Sequence, residues 1–424
     1  MYFKFCLVVL FILVSLVFGE STNPVAESTV PIVVDNITSS DERYVRHEAE
    51  YAKLQARLDS GGKALDGNHP RQRLLTALYG FSRYKDLHIT EVQRWRSLYK
   101  NVSKKQKGTI ESAVKYTSKL NTVEHLIEAN DQLAVEIVQT GLHFYGIAQS
   151  EFDKFVADQE RQGKKGDRTS VAQAMKHFVR DWAEEGQEER DESFTCILNQ
   201  LSDMERSATS PLHVLVPGGG VGRLAHEIAR LDGFDVTMNE WSMYMNLVYR
   251  QLTQKAMTSN SKSYHPWIDW WSHHLTTSDM QRSVSFPDSD IDASSVLLVE
   301  GDFTAVFNSE GGNYDVIVTL FFIDTARNLL TYLETIHRLL RPGGTWLNLG
   351  PLLYGTAPFL QLSLDEIISL AEAVGFRFED TGDFCGDLSV DGLLVRGKDV
   401  QYGRNVRGLN KNGYLAQSWR AVKI

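Results

Sequence analysis

The chain has 424 residues, of which 42% are hydrophobic and 23% are charged, and its formal net charge is −10. This length is sufficient for two domains, and the composition is that of a globular protein and not of a disordered one. The acidic balance argues against a general nucleic-acid-binding protein, because no block of basic residues offsets it.

The N-terminus carries a short apolar segment from Phe5 to Phe18, preceded by Lys4. Such a run is short for a membrane span and is typical of a secretory signal peptide over residues 1–19, with a retained signal anchor as the alternative. In either case we expect the chain to enter the secretory pathway, and to contact a membrane only if the leader is uncleaved. Residues 20–40 are rich in Ser, Thr, Pro and Val without periodicity, and we interpret them as a flexible linker.

Two further features depend on this prediction of secretion. Asn36 and Asn101 each begin an acceptor triplet for N-glycosylation. Only Cys196 and Cys385 remain after removal of the leader, which is too few for a disulfide framework. We expect two buried free thiols, with a single bridge between them as the alternative.

Residues 41–205 predict a helical N-terminal domain. Apolar side chains recur there at spacings of three and four residues, as in Leu120, Val123, Leu126 and Ile127. Stripes of this kind pack in a core far more often than they bind a ligand.

From residue 206 to residue 424 the pattern changes to alternating strands and helices, which predicts an α/β fold with a doubly wound, Rossmann-like parallel sheet. Residues 255–290 form a polar insertion with Trp267, Trp270 and Trp271, which we interpret as packing residues, with a cage for a cationic substrate as the alternative. The predicted strands are Leu212–Val216, Phe234–Met238, Val296–Val299, Tyr314–Phe322 and Thr345–Leu349, the helices are Val221–Leu231, Ser242–Thr253, Asn328–Leu340 and Leu364–Val374, and Arg341–Gly344 is a predicted turn.

Glycines follow the first predicted strand in the segment VLVPGGGVGRLA, from Val214 to Ala225. Gly218, Gly220 and Gly222 allow a tight turn and a close approach of the backbone to a ligand. Glu240 comes 18 residues after Gly222, at the end of the next strand, where an acid can bind ribose hydroxyls. The alternative for Glu240 is an exposed acid at a strand end.

The nature of the cofactor depends on residues outside the glycines. Arg223 stands where a dehydrogenase fingerprint has its third glycine, which disfavours a dinucleotide. Asp302 ends the third strand and suits an adenine amino group together with Phe303, and Asp324 ends the fourth strand at the edge where open α/β sheets bind ligands. This set indicates S-adenosylmethionine, which has no pyrophosphate. The alternative for both aspartates is a helix N-cap. No metal site is indicated.

Several longer segments carry a more specific signal across residues 70–424. They are HFVRDWAEEGQEERD (His177–Asp191), the glycine segment, NEWS (Asn239–Ser242), YHPWI (Tyr264–Ile268), FPD (Phe286–Asp288), GDF (Gly301–Phe303), FFIDTARN (Phe321–Asn328) and RPGGTWLNLGPLLY (Arg341–Tyr354). With them the chain resembles the N2227-like methyltransferase family, which includes the carnosine N-methyltransferases. The resemblance implies a class I methyltransferase that uses S-adenosylmethionine to methylate the imidazole of carnosine or of a related histidine-containing peptide.

The resemblance also implies a cofactor role for each matched residue. Arg180 pairs with the methionine carboxylate of the cofactor, an interaction that suits a guanidinium fork. His177 is a cofactor contact at a position where family members carry glutamine. Glu240 accepts hydrogen bonds from both ribose hydroxyls, Asp302 and Phe303 frame the adenine, and the glycines pass close to the methionine part.

On the substrate side, the resemblance implies that Asp324 orients the nucleophilic nitrogen, and Tyr414 matches part of the family's C-terminal tyrosine-rich strand. Catalysis then rests on positioning and on a carboxylate that stabilises the positive charge moving onto the substrate. Two departures lie on this side. Gly355 replaces a histidine that reaches the substrate in the family, and Gly397–Asn412 does not match the family pattern.

Alternatives remain for one residue and for the whole chain. Arg180 is adjacent to Asp181 and can instead be a surface helix residue in a salt bridge. The chain can methylate another acceptor, such as a protein histidine, or can be a catalytically silent secreted binding protein with the same fold. A homodimer is a further expectation from the resemblance.

Overall fold

The N-terminal part of the chain is helical in a computed structural model that describes residues 42–61, 66–207, 210–355 and 357–424. The predicted signal peptide, the predicted linker and Asn36 lie outside the described residues. Within the described ranges, no helix is long and apolar enough to span a membrane. The first helices are α1 (Glu42–Leu58), α2 (Pro70–Ser82), α3 (Tyr84–Tyr99), α4 (Lys104–Val114), α5 (Tyr116–Phe144), α6 (Gln149–Arg161), α7 (Arg168–Trp182) and α8 (Gln187–Ser202).

Helix α7 is fixed at both ends, and this decides where its last turn points. The side chain of Asp167 accepts a hydrogen bond of 3.0 Å from the backbone N–H of Ser170, and it thereby satisfies one of the free donors at the helix start. At the other end, the indole N–H of Trp182 donates to the carbonyl of Val221 at 2.8 Å. The last turn of α7 is therefore attached to the glycine segment.

The helices share an apolar core with part of the second half of the chain. Leu78 and Ile137 are buried in the same cluster as Leu247, which follows the second strand. A Cβ at Gly141 would lie 2.4 Å from Leu247 Cδ2, so a side chain here would require Leu247 to shift. The division of the chain into domains at residues 205 and 206 stays a prediction.

The second half contains a mixed sheet with helices packed on both faces, so the α/β prediction is confirmed. The side chain of Leu215 joins one apolar cluster and those of Val214 and Val216 join another, as expected for a strand buried on both faces. The elements are β1 (Leu212–Pro217), α9 (Arg223–Ala229), β2 (Phe234–Glu240), α10 (Met243–Leu252), β3 (Lys262–Tyr264), α11 (Thr277–Gln281), β4 (Val284–Phe286), β5 (Val296–Glu300), α12 (Phe303–Val306), β6 (Tyr314–Leu320), α13 (Leu329–Leu339), β7 (Leu340–Gly350), α14 (Leu364–Val374), β8 (Phe376–Glu379), β9 (Asp387–Leu388), β10 (Arg396–Gln401) and β11 (Gly413–Lys423).

The strand order of the main sheet is β5-β2-β1-β6-β7-β11-β10-β9, and β8 also pairs with β11. Strands β5, β2, β1, β6 and β7 are parallel, whereas β11 runs antiparallel to β7, β8 and β10. The order reverses between β1 and β6, and the crevice at such a switch point is where open α/β sheets bind ligands. Of the antiparallel strands after β7, only the C-terminal one, which carries Tyr414, was expected, and that expectation came from the family resemblance.

Two local predictions differ from the structure. The predicted turn Arg341–Gly344 lies inside β7, because Leu340 already pairs with Tyr314 and the next pair is Thr345 with Val316. The four residues thus form an irregularity in the strand and not a separate turn. The insertion between α10 and β5 contains the hairpin β3–β4. Trp267 is buried there in the helical core and Trp271 packs against it, as the packing interpretation expected, whereas Trp270 is 53% exposed and does not pack in the core.

The prediction of two free thiols is wrong. Cys196 on α8 and Cys385 between β8 and β9 form a disulfide with an S–S distance of 1.97 Å, although 189 residues separate them in sequence. Both residues are fully buried. The reason is the packing of α8 against the antiparallel edge of the sheet, where Cys196 Sγ also lies 3.1 Å from Ser418 Oγ on β11.

Candidate active site

The glycine segment forms a tight loop between β1 and α9. Gly218, Gly220 and Gly222 have φ values of +66°, +57° and +85°, a region that glycine enters without a steric penalty. A Cβ at Gly218 would lie 2.4 Å from Phe322 Cδ2, so the close approach also requires glycine. Gly218 and Gly220 line a cavity of about 790 Å³, which we call the larger cavity. Gly222 lies instead at the start of α9, where its Cβ would meet the ring of Tyr249.

Glu240, the last residue of β2, organises the wall of the larger cavity. One carboxylate oxygen accepts from the backbone N–H of Gly220 at 2.9 Å, and the other accepts from the backbone N–H of Ser242 at 2.7 Å. Burial raises the pKa of Glu240, and these N–H donors oppose the shift because they stabilise the carboxylate. Each oxygen keeps acceptor capacity for a ligand hydroxyl. The alternative of an exposed acid is therefore wrong for Glu240, which is buried.

The last turn of α7 brings charged side chains to the same cavity. His177 Nδ1 lies 2.6 Å from Asp181 Oδ2, one helical turn away. Burial favours the neutral acid, but the nearby Arg180 and His177 outweigh it and lower the pKa of Asp181. Arg180 does form the expected ion pair with Asp181, at 3.9 Å between Nε and Oδ1, but its side chain is only 13% exposed, so it is not a surface residue. His177, Arg180 and Asp181 all line the larger cavity.

Glu189 on α8 holds Arg180 in place. It accepts from Arg180 Nε at 2.9 Å and from the backbone N–H groups of Gly403 and Arg404 at 3.0 and 2.9 Å. Burial disfavours the charged guanidinium, yet the acidic neighbours outweigh it and raise the pKa of Arg180. Arg180 lines the larger cavity, and in the described part of the chain no hydrogen bond is recorded for its two terminal nitrogens. The guanidinium carbon lies 4.4 Å from the ring centroid of Tyr402.

The adenine-side residues lie at the end of β5. Asp302 is indeed an N-cap, as the alternative expected: its carboxylate accepts from the backbone N–H and the hydroxyl of Thr304 at 2.8 and 2.7 Å. It also lines the larger cavity, so capping does not remove it from the site. Phe303 is buried at the cavity wall in edge-to-face contact with Phe322 and Tyr332.

A second cavity of about 390 Å³, which we call the smaller cavity, adjoins the larger one. Phe321, Thr325, Arg327 and Tyr402 line both, whereas Asp324 and Tyr414 line only the smaller. Burial raises the pKa of Asp324 to about 6, although Leu353 donates a backbone hydrogen bond of 3.0 Å to it. The N-cap alternative is wrong for Asp324, because it lies within a short 3₁₀ turn.

Two residues of this site were not anticipated from the sequence. Tyr402 follows β10 in the segment that does not match the family pattern, and no local signal marks it. Its ring lies 4.9 Å from that of Phe321 and 6.5 Å from that of Tyr414. Glu189 lies in the same matched segment as Arg180. An acid close in sequence to an arginine with a predicted cofactor role was the signal that could have identified it. No group of three or more potential metal ligands occurs among the described residues.

Known proteins resemble this chain in sequence. The family model for carnosine N-methyltransferase matches residues 157–424. The carnosine N-methyltransferase of Mus musculus is 32% identical over 313 residues, which are 71% of this chain and 75% of that protein. The carnosine N-methyltransferase of Schizosaccharomyces pombe is 30% identical over 333 residues, which are 72% of this chain and 87% of that protein.

The chain belongs to the carnosine N-methyltransferase family. It is therefore a methyltransferase that depends on S-adenosylmethionine, and its parallel sheet with a glycine loop after β1 is the fold of class I methyltransferases. Solved methyltransferases resemble it distantly. Phosphoethanolamine N-methyltransferase 2 of Haemonchus contortus, in complex with S-adenosyl-L-methionine, is 15% identical to this chain. The match covers 60% of this chain and 57% of that protein, with a TM-score of 0.37.

Proposed function

We propose that the chain transfers a methyl group from S-adenosylmethionine to an imidazole nitrogen of carnosine or of a related histidine-containing peptide. One observation carries this proposal: a cavity with groups for the cofactor adjoins a second cavity that holds a buried carboxylate, and aromatic rings separate them. Methyl transfer needs this layout, because the methyl donor and the acceptor nitrogen must meet in line at the boundary between the two cavities. Water must be excluded from that boundary.

The residues of the larger cavity fit S-adenosylmethionine. The fork of Arg180 suits the methionine carboxylate, with His177 one turn away on the same face of α7. Glu240 has one free acceptor site on each oxygen for the ribose hydroxyls, and Asp302 with Phe303 suits the adenine. When bound, this cofactor supplies an electrophilic methyl group on a positively charged sulfur.

In the smaller cavity Asp324 has the role of orienting the acceptor. As a carboxylate it accepts a hydrogen bond from one ring N–H of the imidazole, which turns the other nitrogen toward the boundary at Phe321 and Tyr402. This placement would aim the lone pair of that nitrogen at the methyl group that the bound cofactor would supply. The ring then carries a positive charge, which Asp324 stabilises and relieves by taking the ring proton. Tyr414 and Tyr402 supply flat apolar surface for the ring.

Calorimetry and mass spectrometry test the two halves separately. Intact protein is titrated with S-adenosylmethionine, and Glu240→Ala is expected to weaken binding at least about 100-fold because two hydrogen bonds to a charged group are lost. Glu334→Ala, at an exposed position of α13, is the matched control. No binding by intact protein, or equal binding by both variants, rejects the cofactor half. A mass gain of one methyl group on carnosine supports the acceptor half, and no gain on any histidine-containing peptide rejects it.

A protein histidine is the second candidate acceptor, and the rim of the smaller cavity favours it. Leu353 is 63% exposed and Phe359, which borders the larger cavity, is 69% exposed, so each cavity has an exposed apolar side chain in its lining. Such surface can contact a bound polypeptide. Methylation of an internal histidine in a longer peptide, at a rate equal to that with carnosine, would favour this acceptor over a dipeptide.

We also propose that the chain works in the secretory pathway. The buried disulfide between Cys196 and Cys385 supports this, since disulfides persist in oxidising compartments and are rare in the cytosol. Asn101 is exposed in the turn after α3, where a glycan meets no obstacle. Expression from the native N-terminus in eukaryotic cells is expected to give a glycoprotein that loses one glycan in Asn101→Gln. Unglycosylated protein in the cytosol would contradict the proposal.

A further inference from the structure

The smaller cavity has one acidic and one cationic side chain among its lining residues, and they are at different depths. Asp324 is buried, whereas Arg327, three residues later, is exposed. The remaining lining residues are aromatic, aliphatic or small, and their polar groups are the hydroxyls of Thr325, Tyr402 and Tyr414. A ligand that enters this cavity therefore meets a positive charge at the entrance and a carboxylate inside.

Arg327 is held at the entrance without an acidic partner. Its guanidinium carbon lies 4.7 Å from the ring centroid of Phe359, and its carbonyl accepts a hydrogen bond of 2.7 Å from the backbone N–H of Phe359. Within the described residues no salt bridge or side-chain hydrogen bond of Arg327 is recorded. Stacking on a ring leaves the in-plane N–H donors of a guanidinium free to bind a carboxylate with two parallel hydrogen bonds.

The surroundings of Gly355 add to this. The family resemblance places a histidine here that reaches the substrate, and this chain has glycine. A Cβ at Gly355 would meet no atom within 4 Å, so the space beside it is open. Gly355 and Arg327 line the same cavity, so Arg327 is the cationic side chain that this chain offers an acceptor there.

We propose that Arg327 binds a carboxylate of the methyl acceptor, and that the enzyme selects imidazole compounds that carry a free carboxylate close to the ring. This inference rests on the proposed function and names the feature of the substrate that the cavity recognises. The imidazole lies against Tyr402 and Tyr414 with its N–H on Asp324, and the carboxylate points outward to the guanidinium. An internal histidine of a protein lacks such a carboxylate and is disfavoured.

The test compares carnosine with its decarboxylated analogue β-alanylhistamine, which keeps the imidazole and the amide. The intact enzyme is expected to favour carnosine about 10- to 100-fold in kcat/KM, the effect of a hydrogen-bonded charge pair. In Arg327→Gln this ratio falls to near one through a higher KM for carnosine, and Arg327→Lys restores part of it because lysine keeps the charge without the fork. Arg377→Gln, which removes an exposed arginine paired with Glu379, is the matched control and keeps the ratio.

A binding measurement gives a readout that does not depend on turnover. Calorimetric titration of the protein with each acceptor is expected to show weaker binding of carnosine to Arg327→Gln than to the intact enzyme. Equal kcat/KM for both acceptors in the intact enzyme, or an equal loss on both in Arg327→Gln, overturns the inference while the proposed function stands. Methyl transfer to neither acceptor, with cofactor binding intact, overturns the proposed acceptor class and the inference with it.

Discussion

The disulfide between Cys196 and Cys385 leads to a quantitative prediction about stability. Replacing both cysteines by alanine removes a cross-link that restricts the unfolded chain. For a sequence separation of 189 residues, the chain-entropy relation gives about 5 kcal/mol of lost stabilisation at 25 °C. That amount is comparable with the total free energy of unfolding of many proteins, so the double variant is expected to be only marginally stable.

The assay is unfolding in urea, followed by the fluorescence of the eight tryptophans, with and without dithiothreitol. The midpoint for the intact protein is expected to fall when the reductant is present. The double variant has a low midpoint that the reductant does not change, which makes it the control for other effects of the reagent. Alkylation before and after reduction, read by mass spectrometry, counts the protected cysteines.

Two outcomes would refute this reasoning. The first is alkylation of Cys196 and Cys385 in the unfolded protein without prior reduction, which would mean that both are free thiols. The second is a midpoint that is the same with and without the reductant, which would mean that the cross-link does not restrict the unfolded state.

Three other predictions concern the site. Asp324→Asn is expected to slow methyl transfer about 100-fold at pH 8. Burial raises the pKa of Asp324 to about 6, so the wild-type carboxylate becomes protonated as the pH drops through 6, and the ratio of wild-type to variant rate falls. Glu189→Gln is expected to weaken S-adenosylmethionine binding about tenfold, since a buried arginine loses its charged partner, whereas the exposed Glu188→Gln has no effect. Gly218→Ala is expected to destabilise the protein by about 1–3 kcal/mol more than Gly146→Ala, because both glycines have positive φ but only the first would clash with a phenyl ring.

Each of these has a contradicting result in its own measurement. A rate ratio that does not change between pH 5 and pH 8 contradicts the role given to the buried carboxylate. If calorimetry shows equal cofactor affinity for Glu189→Gln and Glu188→Gln, the result contradicts the role of Glu189 in holding Arg180 in place. Equal unfolding midpoints for the two alanine variants contradict the close packing of the glycine loop.

The cofactor side could be predicted from the sequence because its signals are local. Gly218 and Gly220 follow an apolar strand directly, and Glu240 ends the next one, so the two strands of a parallel pair bring them together without knowledge of distant residues. The same holds for Asp302 and Asp324, which end strands of the same sheet. The structure places these residues around the predicted crevice, and their roles stay predictions for the binding experiments.

The substrate side could not be predicted to the same extent. Tyr402 depends on how the antiparallel strands β10 and β11 return across the sheet, and nothing in a single segment encodes that pairing. Gly222 was predicted from its spacing to contact the ligand. In the structure it lies instead at the start of α9, where a Cβ would meet the ring of Tyr249.

By itself, then, the sequence determined the class of fold, the family and the local groups for the cofactor, because strand periodicity, glycine turns and residues at strand ends follow from short-range geometry. Only the tertiary structure decided the cross-link between Cys196 and Cys385 and the cavity shared by Asp324, Arg327 and Tyr402. These depend on contacts between residues far apart in the chain, and sequence separation carries no information about distance once the chain has folded.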